Sequence, residues 1–146
     1  MGQTISTKKQ KDAKRFDRIL AKSKDLIEAR KKSELSDGEK AVAYFLRKSL
    51  LEFRREWYWP GLINPKTQQP LFFDFYLPAL RMVIEYDGPH HFEPVYGLKA
   101  LHEQQYRDKL KKQFCKKKKI KLLRIPYHTL NIGTAIQRFF DESFSA

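Results

Sequence analysis

Two short apolar runs, Leu71–Leu77 and Met82–Tyr86, are joined by Pro78-Ala79-Leu80-Arg81, and this spacing constrains the fold more than any other feature of the chain. Both runs are rich in Phe, Tyr, Val and Ile and have the length of β-strands, and the link is short enough for a hairpin. Each run carries a carboxylate where an apolar residue would be the cheaper choice: Asp74 in the first and Glu85 in the second. A turn centred between Ala79 and Leu80 leaves these two acids equally far from its centre and therefore opposite each other. Directly opposed residues of an antiparallel pair have Cβ atoms about 4.5–5.5 Å apart, where like charges repel. A divalent cation between them converts that repulsion into attraction, and hard cations such as Mg²⁺ prefer carboxylate oxygens. Asp87, two residues past Glu85, points to the same strand face. The alternative is an exposed hairpin face bearing three ordinary surface acids, since a slip of one residue in the turn undoes the pairing.

The charge balance narrows the choice of partner. Thirty Lys and Arg against 17 Asp and Glu give a net charge of +13, which implies a polyanion, and for a compact basic domain nucleic acid is the commonest one. With 41% hydrophobic residues the chain is globular rather than disordered, and its 146 residues suit one domain with a real core. A single cysteine, Cys115, excludes an intramolecular disulfide and a multi-cysteine zinc site. No apolar run approaches the ~20 residues needed to cross a bilayer, and no secretory signal opens the chain. A soluble intracellular protein is expected, in the cytoplasm or, in a eukaryotic host, the nucleus.

The chain divides into a basic N-terminal arm, residues 1–34, and a main domain, residues 35–146. Gly2 and Ser6 match a myristoylation pattern followed by Lys8, Lys9, Lys11, Lys14 and Arg15, which would suit a membrane surface; an unanchored N-terminus is the preferred reading. From Lys11 to Lys32 a helix is expected, with a narrow stripe of Phe16, Ile19, Leu20, Ser23 and Ile27. Ser36 with Glu39 three residues on is a capping box, and Val42, Phe45, Leu46, Ser49, Leu50 and Phe53 follow at helical spacing. Capping by itself accounts for Glu39. Glu52–Trp59 reads as a first strand and Asn64–Pro70 as a polar loop.

After Asp87, Gly88-Pro89 breaks the strand and His90-His91 follow, where an imidazole can take a proton from water near pH 7. A loop from Glu93 to Leu101 leads to a helix from His102 to about Lys118, with Tyr106, Leu110, Phe114 and Cys115 on one side and Asp108, Lys111 and Lys112 beside them. Arg107, Lys112 and the run Lys116-Lys117-Lys118-Lys119 concentrate positive charge that would bind a phosphate backbone without reading sequence. The same lysines can equally form a nuclear localisation signal or a solvated turn. Ile120–Ile125 reads as a strand, and Asn131 as the N-cap of a last helix.

The ordered set Glu39, Phe73-Asp74-Phe75, Ile84-Glu85-Tyr86-Asp87-Gly88, His91, Asp108 with Lys111 and Phe114-Cys115, and Leu122-Leu123-Arg124-Ile125 resembles the core of the PD-(D/E)xK nuclease superfamily. The closer resemblance is to its very-short-patch-repair-like branch, which includes the phage-type homing endonucleases named for a Glu-Asp-x-His-Asp set. The resemblance implies an α/β, restriction-endonuclease-like core with a mixed central sheet of about four strands flanked by helices. It also implies a Mg²⁺-dependent DNA endonuclease, with Mn²⁺ able to substitute, no small-molecule cofactor, and products with 5′-phosphate and 3′-hydroxyl ends. Asp74 would be the principal metal ligand and Glu85 its partner, with Glu39 nearby holding water or a second metal. His91 would be the general base or acid, oriented by Asp108. At the lysine position of the (D/E)xK triplet this chain has Asp87, so either His91 takes over that task or Lys111 reaches in from the helix. His91 is chosen over His90 by motif alignment. One such site cuts both strands only by pairing with a second copy or by acting twice. The rival expectation is a nucleic-acid-binding protein on the same fold that does not cleave.

Overall fold

A computed structural model describes residue 5 and residues 7–145; Gly2 and Ser6, which carry the acylation pattern, lie outside the described residues. The basic N-terminal segment forms two helices, α1 (Lys8–Lys22) and α2 (Lys24–Lys32), where the spacing predicts one. The break falls at Ser23, which is buried and leaves the helical region at φ −99°, ψ 10° while its N–H still donates to the Ile19 and Leu20 carbonyls. This change of direction brings Arg30 of α2 to the edge of the main sheet, where its guanidinium lies 4.6 Å from the ring centroid of Phe72, just ahead of the strand that starts at Phe73.

Helix α3 (Asp37–Lys48) starts where the Ser36 hydroxyl accepts the Glu39 N–H, and it buries Val42, Ala43 and Leu46 completely. It stops earlier than the apolar spacing predicts. Leu50 sits at φ 57° and is 92% exposed, so it is not part of the helical stripe; Leu51 and Phe53 pack on the core from the connecting segment instead. Strand β1 (Arg54–Trp57) follows. The expected polar loop contains a small hairpin, β2 (Ile63–Asn64) paired with β3 (Gln69–Pro70). Its turn is closed by the Asn64 side chain accepting the Lys66 N–H and by Gln68 at φ 56°, which lets a polar segment pair its backbone.

The main sheet continues with β4 (Phe73–Leu77) and β5 (Met82–Asp87), joined by one turn of 3₁₀ helix at Pro78–Leu80 and a left-handed Arg81. The pairs Phe75–Ile84, Tyr76–Val83 and Leu77–Met82 give the register inferred from the sequence. Pro89–His91 forms a second 3₁₀ turn, and α4 (Leu98–Lys118) begins four residues before the expected His102. It returns the chain to β6 (Lys121–Pro126), parallel to β5, before α5 (Ile132–Phe144), capped by Asn131. The result is a mixed α/β fold with a sheet of order β1-β4-β5-β6 and, among the described residues, five helices. No helix among these is long and apolar enough to cross a membrane.

One sheet face packs Phe75, Leu77, Met82, Ile84 and Ile125 against Val42 and Leu46 of α3 and Ile136 of α5. The other packs Phe73, Val83 and Ile120 against Cys115, Leu110 and Phe114 of α4. Residues two apart on a strand normally share a face. Phe73 and Phe75 do not, so β4 changes face at Asp74. The partner strand is irregular at the same level: register sets Glu56 opposite Asp74, and Glu56 has φ 48°. β4 and β5 are last paired at Phe75–Ile84, one step before Asp74, while β1 and β4 stay paired on both sides of it.

Candidate metal and phosphodiester site

Asp74 lies one step past the last regular pair of β4 and β5, and its carboxylate replaces a ladder bond by accepting the Tyr86 N–H at 2.8 Å. Glu39 reaches the same point from the first turn of α3, over one face of the sheet, with the Ser36 hydroxyl donating to its Oε1 at 2.9 Å. Only half of the capping box forms: the Glu39 N–H donates to the Ser36 hydroxyl, while the glutamate side chain is turned to that hydroxyl instead of the Ser36 N–H. Glu56 completes the group from β1, and oxygens of Glu39, Glu56 and Asp74 all lie within 4.8 Å of one another. A glutamate in the left-handed region carries a backbone cost on the order of 1–3 kcal/mol, and such residues concentrate at functional sites.

Glu85 and Asp87 are each only 3% exposed, which removes the reading of these acids as surface decoration. Glu85 faces α4, where Lys111, itself 8% exposed, donates to it at 3.0 Å. The inward side of α4 is thus apolar toward its C-terminal end, at Leu110, Phe114 and Cys115, and polar at Gln104, Asp108 and Lys111. Next to Lys111, His91 Nδ1 lies 2.8 Å from Asp108 and 3.6 Å from Asp87. Arg124 of β6 sits behind both acids, 3.3 Å from Asp87 and 3.4 Å from Asp108, and also donates to the Asp108 carbonyl at 3.1 Å. Asp108 holds His91 and not His90, although both rings line the same cavity, with centroids 4.5 Å apart. With the Nδ1–H given to Asp108, Nε2 of a neutral His91 is the nitrogen with a free lone pair.

The electrostatics follow from this crowding. Burial, and after it the Glu85 carboxylate, raise the Asp74 pKa well above the ordinary range, against the pull of Lys111 and the Tyr86 N–H. Burial also raises Glu56 and Asp87, with Arg30 and Arg124 respectively opposing it. Burial would raise Asp108 too, but the His91 hydrogen bond and Arg124 outweigh it and hold the group below its usual value. His90 is lowered by burial and by His91.

Glu39, Glu56, Asp74, Glu85, His91 and Lys111 all line one cavity of about 340 Å³. Arg107 also lines it, while Lys112 and Lys116 to Lys119 are exposed further along α4. Lys111 is the last residue of α4 to line the cavity, and Lys118 stands seven residues on, so the helix carries the lysine run to about 10 Å from the cavity.

No protein-family model matches the chain, and no solved structure matches it. Three viral proteins do in part. The chain is 38% identical over 77 residues to uncharacterized protein 094L of Frog virus 3 (isolate Goorha), covering 49% of this chain and 50% of that protein. It is 34% identical over 65 residues to uncharacterized protein 307L of Invertebrate iridescent virus 6, covering 42% and 33%. It is 34% identical over 70 residues to uncharacterized protein 033L of Invertebrate iridescent virus 3, covering 45% and 36%. The matches thus span half or less of the curated relatives' length.

The acids present fit a hard divalent cation. The donor set is all oxygen, comes from three separate elements, and draws three carboxylates into a space where a cation, or a proton on one of them, relieves their repulsion. The acidic cluster joins Asp74 to Glu39 and to Glu56, which sequence reasoning missed; Glu85, the expected partner of Asp74, lines the same cavity and is paired with Lys111. The only signal that could have singled out Glu56 is its position as an acid within an aromatic-rich strand.

Proposed function

We propose that the protein is a Mg²⁺-dependent DNA endonuclease on a restriction-endonuclease-like core. The observation that carries this reading is the convergence of Glu39, Glu56 and Asp74 within 4.8 Å, in the same cavity as a buried Lys111–Glu85 pair and a His91 held by Asp108. Glu39, Glu56 and Asp74 would hold the metal, which when bound supplies Lewis-acid activation of water and of the phosphoryl oxygen. His91 has Asp108 fixing its ring, so its Nε2 is free to take a proton from the attacking water or return one to the leaving oxygen. Lys111, oriented by Glu85, faces the cavity with an ammonium that can neutralise charge gathering on the phosphate. Arg107 at the rim and the exposed lysines of α4 would hold the flanking backbone. His91 and Lys111 both line the cavity, which supports either as the group that acts in place of the lysine that Asp87 displaces.

A second reading, a DNA-binding protein without cleavage, draws on the Lys111–Glu85 pair, which neutralises one acid of the expected metal set. Supercoiled plasmid incubated with Mg²⁺ or Mn²⁺ separates the two. Nicking that EDTA abolishes and that Asp74→Ala lacks supports the nuclease. Tight, salt-sensitive binding without nicking in either metal supports the binder.

A further inference from the structure

A second cavity, of about 440 Å³, adjoins the acidic one and has a different chemistry. It lies between the β2–β3 hairpin and the first half of α4, and Asn64, Thr67 and Arg107 line both cavities. Its other walls include Lys66, Lys99, His102 and Tyr106, with Glu103 the one acid among the described residues that line it. The Lys66 ammonium lies 3.9 Å from the centre of the Tyr106 ring. Arg107 is braced at the boundary: it donates to Gln104 at 2.8 Å, and Gln104 donates to Asp108 at 3.1 Å, the carboxylate that holds His91. A cationic pocket with an aromatic floor therefore stands one step from the acidic centre, and a single guanidinium faces both.

Aromatic rings with flanking cations are how proteins take up bases that are not stacked in a duplex. A pocket of this volume is within the range that accepts a nucleotide-sized ligand. We infer that this second cavity receives an unpaired nucleotide next to the scissile phosphate, its base stacked on Tyr106 and its phosphate on Arg107, so that the preferred substrate is single-stranded or frayed DNA. This inference rests on the nuclease reading. Lys66 guards the ring face in the free protein and turns to the phosphates when a strand enters. The β2–β3 hairpin, read from sequence as a plain polar loop, forms the outer wall of the substrate channel.

The test uses the full-length protein carrying Asp74→Ala, so that strands stay intact, and fluorescence anisotropy with fluorescein-labelled oligo(dT) and with a blunt duplex. Adding Tyr106→Ala is expected to weaken oligo(dT) binding by about 5-fold or more, the scale of one stacked base, while Tyr106→Phe retains it and duplex binding changes little. Oligo(dT) affinity unmoved by Tyr106→Ala, or an equal loss on the blunt duplex, overturns the inference. Wild-type protein run alongside on supercoiled and on single-stranded circular DNA tells the two failures apart. Metal-dependent cleavage with a silent Tyr106 removes only the second cavity's role, whereas no cleavage of either DNA removes the nuclease reading itself.

Discussion

Asp74→Asn is expected to stabilise the metal-free protein while abolishing cleavage. Oxygens of Glu39, Glu56 and Asp74 lie within 4.8 Å of one another, and at that separation an effective dielectric of about 20 gives about 3.5 kcal/mol for each fully ionised pair. Arg30 beside Glu56 and Lys111 beside Glu85 offset much of this, leaving a net gain from neutralising Asp74 on the order of 1–3 kcal/mol. Asparagine keeps an oxygen able to accept the Tyr86 N–H, so the strand end is preserved. For a domain of this size the melting temperature in EDTA at pH 7 should rise by roughly 2–10 °C. The pH dependence has a definite sign. Because the folded pKa of Asp74 is raised, the native state holds that proton to higher pH than the unfolded chain, and ionising it destabilises the fold. The penalty is complete above the folded pKa and fades as pH falls through it, so the gap between variant and wild type should close on acidification. Added Mg²⁺ should raise the melting temperature of the wild type and leave the variant nearly unmoved. Differential scanning fluorimetry across pH, with and without Mg²⁺, measures all three. A variant that melts no higher at pH 7, or a gap that widens in acid, would refute the reasoning.

Lys111→Met leaves Glu85 buried without its partner and should cost about 3–5 kcal/mol in urea unfolding, with most of it recovered by Lys111→Met combined with Glu85→Gln. Gly38→Ala would push a Cβ into the Tyr86 ring over the start of α3, and a loss of about 1–3 kcal/mol by the same measurement is expected. Replacing Lys116 to Lys119 by Ala should weaken DNA binding similarly for unrelated sequences. It should also flatten the dependence of log affinity on log salt by about 0.9 for each phosphate no longer neutralised, read by anisotropy across a salt series. Burial pushes the Cys115 thiol up to about 11, so the native protein should resist a thiol-labelling reagent at pH 8 and react fully once unfolded.

The residues whose roles were legible in the sequence are those set by chain-local rules. The register that puts Asp74 at the level of Glu85 follows from a short turn, because period-two alternation propagates from a hairpin with little freedom. Asn131 caps α5 and the Ser36 hydroxyl takes the Glu39 N–H because an unpaired N–H at a helix start is satisfied by a side chain three residues away. His91 follows a strand break that Gly88 and Pro89 announce. Chain-local patterns also misled where an apolar residue kept helical spacing but not helical conformation: Leu50 extends the stripe of α3 on paper, yet its positive φ ends the helix and exposes the side chain. Ser23 likewise fits a continuous helix by spacing and breaks it in fact.

Tertiary structure alone decided which acids meet. Capping by itself accounted for Glu39, which only the family resemblance set near the site, and Glu56 looked like any polar residue in a strand; α3 and β1 bring both to Asp74. Glu85 was drawn the other way, to Lys111 of α4, a residue whose inward direction depends on how that helix lies across the sheet. By itself the sequence determined the four strands of the main sheet, the caps of α3 and α5 and the large positive charge, since these depend on residue type and on neighbours a few positions away. The grouping of carboxylates came from packing, because residues far apart in the chain meet only where burial of two separate apolar faces leaves their polar ends no other place to go.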